Sequence, residues 1–487
     1  MAPMHSEDLA ISSQRTPWIR DGFVLVRTNL GLLLGPLTAI ALFVSPLGLE
    51  PAQQKTLAIV TLMLVYWIME PIDHGLTALI GCYLFWALNV VKFSIAFSGF
   101  VNSTVWFLFG SLLMAEAASR TGLAHRLGYL LLRRVGSSYF RLVLGLIFVS
   151  YVLAIFVPSA IGRLAITGAL AMGIVKASGA ATRSNLSRGV FVVLTTLAGI
   201  SDIMLLSGAT TMMTRAILEE HAQIQVLWSQ WFMAFAPLNI ATIFFGAWLI
   251  CWLYPVENGE PLPTKKYFET VLTELGPWSS EQKKTLAWFV VAVLIWATDS
   301  IHHVNPAVVG FGVAIALCFP RIGVLDGKAV KQTNFLTIAF SAGAISMGNV
   351  LMDSHTLALV SGWLVDRMRP LFTNSLSFTM SLYLGGFLYH FMFANRQSML
   401  ITSLPLLLTI GAQGGLNLLT IALIWTFGGG GGLFIYQSGV YVMGYSFGHF
   451  NAKDFFKVAL ILTIFEGAML LLLVHCYWPF IGLSWRN

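Results

Sequence analysis

Charge is what this sequence has least of. Of 487 residues, 28 are Lys or Arg and 21 are Asp or Glu, 10% in all, where water-soluble domains carry about 25%. So few charges beside 57% apolar residues exclude a chain solvated by water and indicate a polytopic membrane protein. Cysteine is sparse too. Cys82, Cys251, Cys318 and Cys476 fall in separate apolar segments without metal-ligand spacing, which excludes a zinc site and leaves them as inert packing residues. There is no HExxH and no paired nucleophile and base, so the chain is not expected to be an enzyme. The glycine run 428–432 lacks a Lys-Ser/Thr ending and a preceding strand, which excludes a phosphate loop and leaves a hinge or close helix packing. The formal charge of +7 is spread over short loops, so nucleic acid is not an expected partner.

What the chain does have is apolar length. A helix needs about 20 such residues to cross a bilayer. Fitting stretches lie near 29–47, 55–70, 75–92, 103–119, 188–206, 230–254, 284–299, 306–320, 334–350, 416–445 and 454–480. Two more, 139–175 and 371–411, are too long for one crossing and break at VPSAIGR and FANRQS. Unpaired backbone in lipid is costly, so such tips persist only under cover of protein or a water-filled cavity. Each reads as a re-entrant hairpin. The fold class expected is therefore an all-α polytopic membrane protein with about 11 transmembrane helices plus two re-entrant hairpins.

Basic residues set the orientation. Arg15, Arg20 and Arg27 precede the first helix, and Arg120, Arg126, Arg133, Arg134 and Arg141 precede the first hairpin. Lys265, Lys266, Lys283 and Lys284 lie in the middle linker, and Arg321, Lys328 and Lys331 follow the eighth crossing. A cytoplasmic N-terminus places all of these inside and the C-terminus outside, in a plasma or inner membrane. The polar segment 1–28 lacks a cleavable signal pattern and is expected to stay in the cytoplasm.

The chain also repeats itself at an offset of about 230 residues, tip matching tip and LLSGATT matching YQSGVY. The division expected is a first helix and loop at 29–54, a repeat at 55–254, a cytoplasmic linker at 255–283 and a second repeat at 284–487. The first repeat would hold the hairpin 139–175 and a broken helix 188–215; the second, the hairpin 371–411 and a broken helix 416–445. An odd number of crossings per half makes the copies inverted. Inverted repeats with interrupted helices point to a secondary transporter with its site at the midplane.

Half-helix N-termini there suit a carboxylate or sulfate, and half-helix C-termini suit a small cation. Pro158 opens the first tip, Ser159 offers a hydroxyl and Gly162 permits close backbone approach. Arg163 is the expensive residue, offset either by a bound anion or by a buried carboxylate or carbonyls. Asp202, in the first broken helix, could ligate sodium, take a proton or pair with Arg163. Glu116 and Glu466, in apolar helices, read as satisfied interhelical partners or as pathway residues. His390 precedes the second tip, for packing or a hydrogen bond.

The tips FVPSAIGR and YHFMFANRQS, the run VWFLFGSLLMAEAASRTGLAHRLG and the closing GYSFGHFNAKDFFKVALIL resemble the divalent anion/sodium symporter (DASS) family, nearest to its bacterial di- and tricarboxylate carriers. That resemblance covers nearly the whole chain after residue 28. It implies an ion-transporter-type fold, a homodimer, and alternating-access movement of a small dianionic acid such as succinate, malate, tartrate or citrate. Sulfate is the alternative cargo, and a non-transporting sensor the remote one. Substrate residues so implied are Ser159 and Arg163 at the first tip, Asn395, Arg396 and Ser398 at the second, Ser207 and Gly208 at the first break, and Gln437, Ser438 and Gly439 at the other. No organic cofactor is implied. Sodium is the one ion the family brings in, at Ser159, Ser201, Asp202 and Asn395. The family's Ser-Asn-Thr signature is broken here, since Ala160 and Ile161 replace two oxygen donors and Arg396 would repel a neighbouring cation. One or both sodium sites are thereby in doubt, with Arg396 supplying fixed positive charge instead; sodium symport, proton coupling and exchange stay open.

Overall fold

The computed structural model describes residues 18–134, 138–157, 159–206, 208–256, 262–393 and 395–486. Among them are 23 α-helices and no strand, only an isolated bridge between Leu416 and Arg486. The chain opens with α1 (Trp18–Val44), α2 (Pro51–Met69) and α3 (His74–Ala87). α1 starts ahead of the apolar run that marks it. Pro51 at the first turn and a Glu50–Gln53 capping box start α2. α4 (Phe93–Ala96), α5 (Ser103–Arg120) and α6 (Leu123–Leu132) follow.

The first interrupted stretch forms α7 (Tyr139–Phe156) and α8 (Ala160–Ala177). The first broken helix is α9 (Asn185–Met204) and α10 (Ala209–His221), followed by α11 (Trp228–Leu253). The second half runs α12 (Lys265–Glu274), α13 (Ser280–Ala297), α14 (Asp299–His302), α15 (Pro306–Cys318), α16 (Gly327–Gln332), α17 (Phe335–Asp353) and α18 (Thr356–Met368). It ends with α19 (Ser375–His390), α20 (Arg396–Gln413), α21 (Leu418–Gly428), α22 (Gly439–Ser446) and α23 (Ala452–Leu472). Beyond α23 the last apolar stretch loosens into a π turn at Leu473–Tyr477 and a 3-10 turn carrying Pro479, which cannot donate to a helix ladder.

By length and composition, five helical segments among the described residues can cross a bilayer: α2, α8, α11, α17 and Ala452–Ile481. The packing exchanges partners between the two halves. α3 packs on α17 and α5 on α15; α10 packs on α20 and α22 on α8. Where α19 crosses α21, a Cβ on Gly428 would stand 2.6 Å from the Tyr383 carbonyl oxygen. The glycine run is close packing.

The linker is not plain coil. Phe268 of α12 is buried, and the Tyr129 and Tyr267 hydroxyls hydrogen-bond. Arg126 of α6 is buried and donates to the carbonyls of Leu275 at 2.8 Å, Gly276 at 2.9 Å and Pro277 at 3.3 Å. Its guanidinium lies 5.3 Å from the centre of the Trp278 ring. Arg126→Ala leaves those carbonyls without their donor, a loss of about 1–3 kcal/mol. Trypsin is then expected to cut at Lys265–Lys266 and Lys283–Lys284 several-fold faster than in the wild type; equal rates would show that α12 holds without the clamp.

Candidate functional site

Both tips and both breaks meet at one cavity of about 460 Å³. Ser159, Ala160 and Ile161 line it from the first tip, and Asn395, Arg396 and Gln397 from the second. Ala209 and Thr210 come from behind the first break, and Ser438, Gly439 and Val440 from behind the other. Leu108 and Leu112 of α5, with Asn334 and Thr337 at the start of α17, complete the wall. Two cavities of similar size lie elsewhere. One of about 390 Å³ is apolar, between Trp106 and Phe311, and one of about 470 Å³ is bounded by Arg133, Arg134, Lys265 and Glu269. Neither gathers the tips.

The arrangement follows from where four helices begin. α8, α10, α20 and α22 all start at this cavity. The Ser159 hydroxyl accepts from the Gly162 N–H at 3.1 Å, Asn395 Oδ1 from the Gln397 N–H at 2.8 Å, and Ser438 Oγ from the Val440 N–H at 3.4 Å. α10 begins after Gly208 and has no side-chain cap. Each helix start has unpaired N–H groups and a partial positive charge of about half an elementary unit. Four such ends around one cavity suit an anion.

Arg396 adds a full charge. It is 7% exposed and lines the cavity, and its Nη1 and Nη2 donate to the Gly199 carbonyl and the Tyr441 hydroxyl, both at 2.5 Å. Its guanidinium carbon stands 5.5 Å from the centre of the Tyr441 ring. Arg163 is placed differently. It is fully buried and is not among the cavity-lining residues. Its Nη1 donates to the Val157 carbonyl at 2.7 Å, and its Nη2 to the Ala198 carbonyl at 3.2 Å and to Ser201 Oγ at 3.4 Å. Two guanidinium groups, one from each tip, thus take neighbouring carbonyls of α9.

Of the remaining residues singled out from the sequence, Ser438 and Gly439 line the cavity with Ser159 and Asn395. Ser398 and Gln437 are fully buried and absent from its wall; Gln437 Oε1 instead accepts from the Leu433 and Phe434 N–H groups, both at 2.8 Å, and shapes the second break. Gly208 sits at the start of α10. Pro158 and Ser207 lie outside the described residues, as does the Asp202 side chain. Among the described side chains, the three oxygens expected to hold sodium are engaged. Ser159 and Asn395 cap helices, and Ser201 Oγ donates to the Ala198 carbonyl at 3.2 Å while accepting from Arg163.

Residues 27–484 match the family described as the sodium:sulfate symporter transmembrane region. The chain belongs to that family. It is a family of transporters, not of enzymes, and its members are multi-pass membrane proteins. A membrane protein of Cupriavidus necator is 26% identical over 460 residues, covering 90% of this chain and 89% of its own length. A citrate/succinate antiporter of Escherichia coli K12 is 24% identical over 506 residues, covering 94% of this chain and 99% of its own length. An L-tartrate/succinate antiporter of Escherichia coli O6:K15:H31 is 24% identical over 359 residues, covering 68% and 73%.

Sequence reasoning missed two residues of the cavity wall on α17 and gave Gly199 no role of its own. Asn334 and Thr337 stand at the start of α17, a signal the Asn-x-x-Thr spacing of 334–337 carries faintly. Gly199 has no such signal. A Cβ there would come within 2.9 Å of Arg396 Nη2 and 2.8 Å of the Tyr441 ring, so only glycine lets the guanidinium reach α9. Gly199→Ala is expected to displace Arg396 at a cost of about 1–3 kcal/mol. Anion affinity should fall tenfold or more with the protein still folded, read by isothermal titration; unaltered affinity would show that Arg396 can settle elsewhere.

Proposed function

We propose that this protein exchanges small dianionic organic acids across the membrane by alternating access, without sodium. The observation that carries the reading is the cavity where four helix N-termini and Arg396 converge. Its volume of about 460 Å³ suits a di- or tricarboxylate, with Arg396 holding one carboxylate and helix N–H groups the other. The relatives named for citrate/succinate and tartrate/succinate exchange support the cargo class. Sodium-free operation is supported by the Arg163 and Arg396 guanidinium groups on the Ala198 and Gly199 carbonyls, fixed positive charges that would repel a cation placed beside them. A fixed guanidinium then does the electrostatic work of a travelling ion. The hairpins and broken helices form the moving unit, and the other helices a scaffold that dimerises. Partner exchange between the halves, α3 on α17 with α5 on α15, favours two inverted repeats. The distribution of basic residues favours a cytoplasmic N-terminus and an outward C-terminus.

Counterflow in proteoliposomes tests this. Labelled succinate should enter only vesicles preloaded with succinate or citrate, at equal rates with and without a sodium gradient. Accumulation driven by sodium into empty vesicles would overturn the exchange reading. Competition by sulfate but by no carboxylate would replace the cargo class, and no movement of any anion would favour a sensor.

A further inference from the structure

α23 carries a buried carboxyl group that the exchange reading does not use. Glu466 sits in α23, inside the apolar span Ala452–Ile481, and is 3% exposed. Among the described residues its Oε1 has no hydrogen-bond partner. The phenols of Tyr151 on α7 and Tyr383 on α19 lie within electrostatic range of it. Tyr383 spends its proton elsewhere, donating to the Thr463 carbonyl at 2.8 Å, one turn before Glu466. Arg396 is the charged group acting on Glu466, yet neither a hydrogen bond nor an ion pair joins the two among the described residues.

Other polar atoms nearby are incomplete. His390 is fully buried, with Nδ1 3.3 Å from the Gly431 carbonyl oxygen and Nε2 without a partner. Arg396 Nε and Gln437 Nε2 also lack one. Arg163 of α8 acts on the same Tyr151 phenol, and among the described residues the remaining neighbours of α23 bring no further charge to this level. α11 stacks Phe245 on Phe465, and the ionisable groups Arg188 of α9 and Cys251 of α11 lie toward the other end, where Tyr254 donates to Asp454 at 3.0 Å. The Asp202 side chain is outside the described residues.

We propose that Glu466 is a proton-binding site whose occupancy is linked to the anion held at Arg396. A charged carboxylate buried without donors is costly unless a cation faces it. Arg396 can face only one anion well. With the cavity empty, Glu466 and Arg396 offset each other at a distance. When a dianion enters and pairs with Arg396, that offset is lost and Glu466 takes up a proton. Linkage is reciprocal, so the proton in turn strengthens anion binding. The linkage rests on reading the cavity as an anion site; Glu466 as a proton site does not.

The two parts are tested separately. In pH-difference infrared spectra of the substrate-free protein, a protonated-carboxyl band that shifts in heavy water should be present in the wild type and absent in Glu466→Gln. An unchanged band in that variant would overturn the proton site. Should Glu466→Gln not fold, Glu466→Asp must shift the band and its titration midpoint, and an unshifted band is equally fatal. Succinate titrations in buffers of different ionisation enthalpy then read proton uptake between about pH 6.5 and 9, where the probe stays dianionic. Wild type should take up close to one proton, with affinity rising up to about tenfold per unit fall in pH. Glu466→Gln should bind succinate with no uptake. Binding to wild type without proton uptake would overturn the linkage, and an intact infrared band with no succinate binding would overturn the anion reading of the cavity instead.

Discussion

Replacing Arg396 by alanine is expected to lower dicarboxylate affinity at least a hundredfold while leaving the protein folded. Arg396 is the cationic side chain in the cavity wall, and its neighbours there are helix starts that hold partial charges only. Truncating a buried, hydrogen-bonded charge that faces an anion costs about 2–5 kcal/mol, and a hundredfold is about 2.7 kcal/mol. The fold should survive because among the described residues Arg396 contributes two hydrogen bonds, to Gly199 and Tyr441, at the edge of a cavity that water enters once the side chain is gone. Arg396→Lys is the informative companion. It keeps the charge and loses the planar fork that reaches Gly199 and the substrate together, so its affinity should lie between wild type and alanine. Isothermal titration with succinate, paired with thermal unfolding in detergent, reads both. An affinity within about twofold of wild type for Arg396→Ala would move the arginine from substrate binding to scaffolding.

For Arg163→Ala the expected result is the reverse, a large loss of stability. Its guanidinium is fully buried and ties the first tip, through Val157, to α9, through Ala198 and Ser201. Its loss leaves the Val157 carbonyl without that donor in the membrane interior, at about 1–3 kcal/mol, takes one of two side-chain donors from Ala198, and opens a void between α8 and α9. The melting midpoint in detergent should fall by roughly 10 °C or more. Affinity in the fraction that stays folded should change less than in Arg396→Ala. Wild-type stability together with lost binding would make Arg163 a substrate ligand after all.

The two arginines show how far the sequence can be read. Each stands in a polar break of an apolar stretch, and composition gives both the same weight. Arg396 is the first residue of α20, so its side chain leaves the helix start toward the cavity. Arg163 is a turn into α8, and the packing of α9 turns it inward. One turn of helix separates a charge that lines the cavity from one buried against α9, and only the neighbour decides. α12 was hidden for a related reason: a short helix with Phe268 buried among lysines and glutamates carries little apolar signal until α6 supplies the surface it covers.

By itself, the sequence determined that the chain is an all-helical membrane protein, where its apolar segments break, and that both breaks carry polar tips. Those properties follow from transfer into lipid, which acts on each segment separately and so leaves its mark locally. Only the tertiary structure decided that four helix starts share one cavity, that Arg396 faces it while Arg163 grips α9, and that Glu466 is buried outside its wall. Those facts depend on contacts between segments hundreds of residues apart, and the burial and partners of a side chain are properties of the packing.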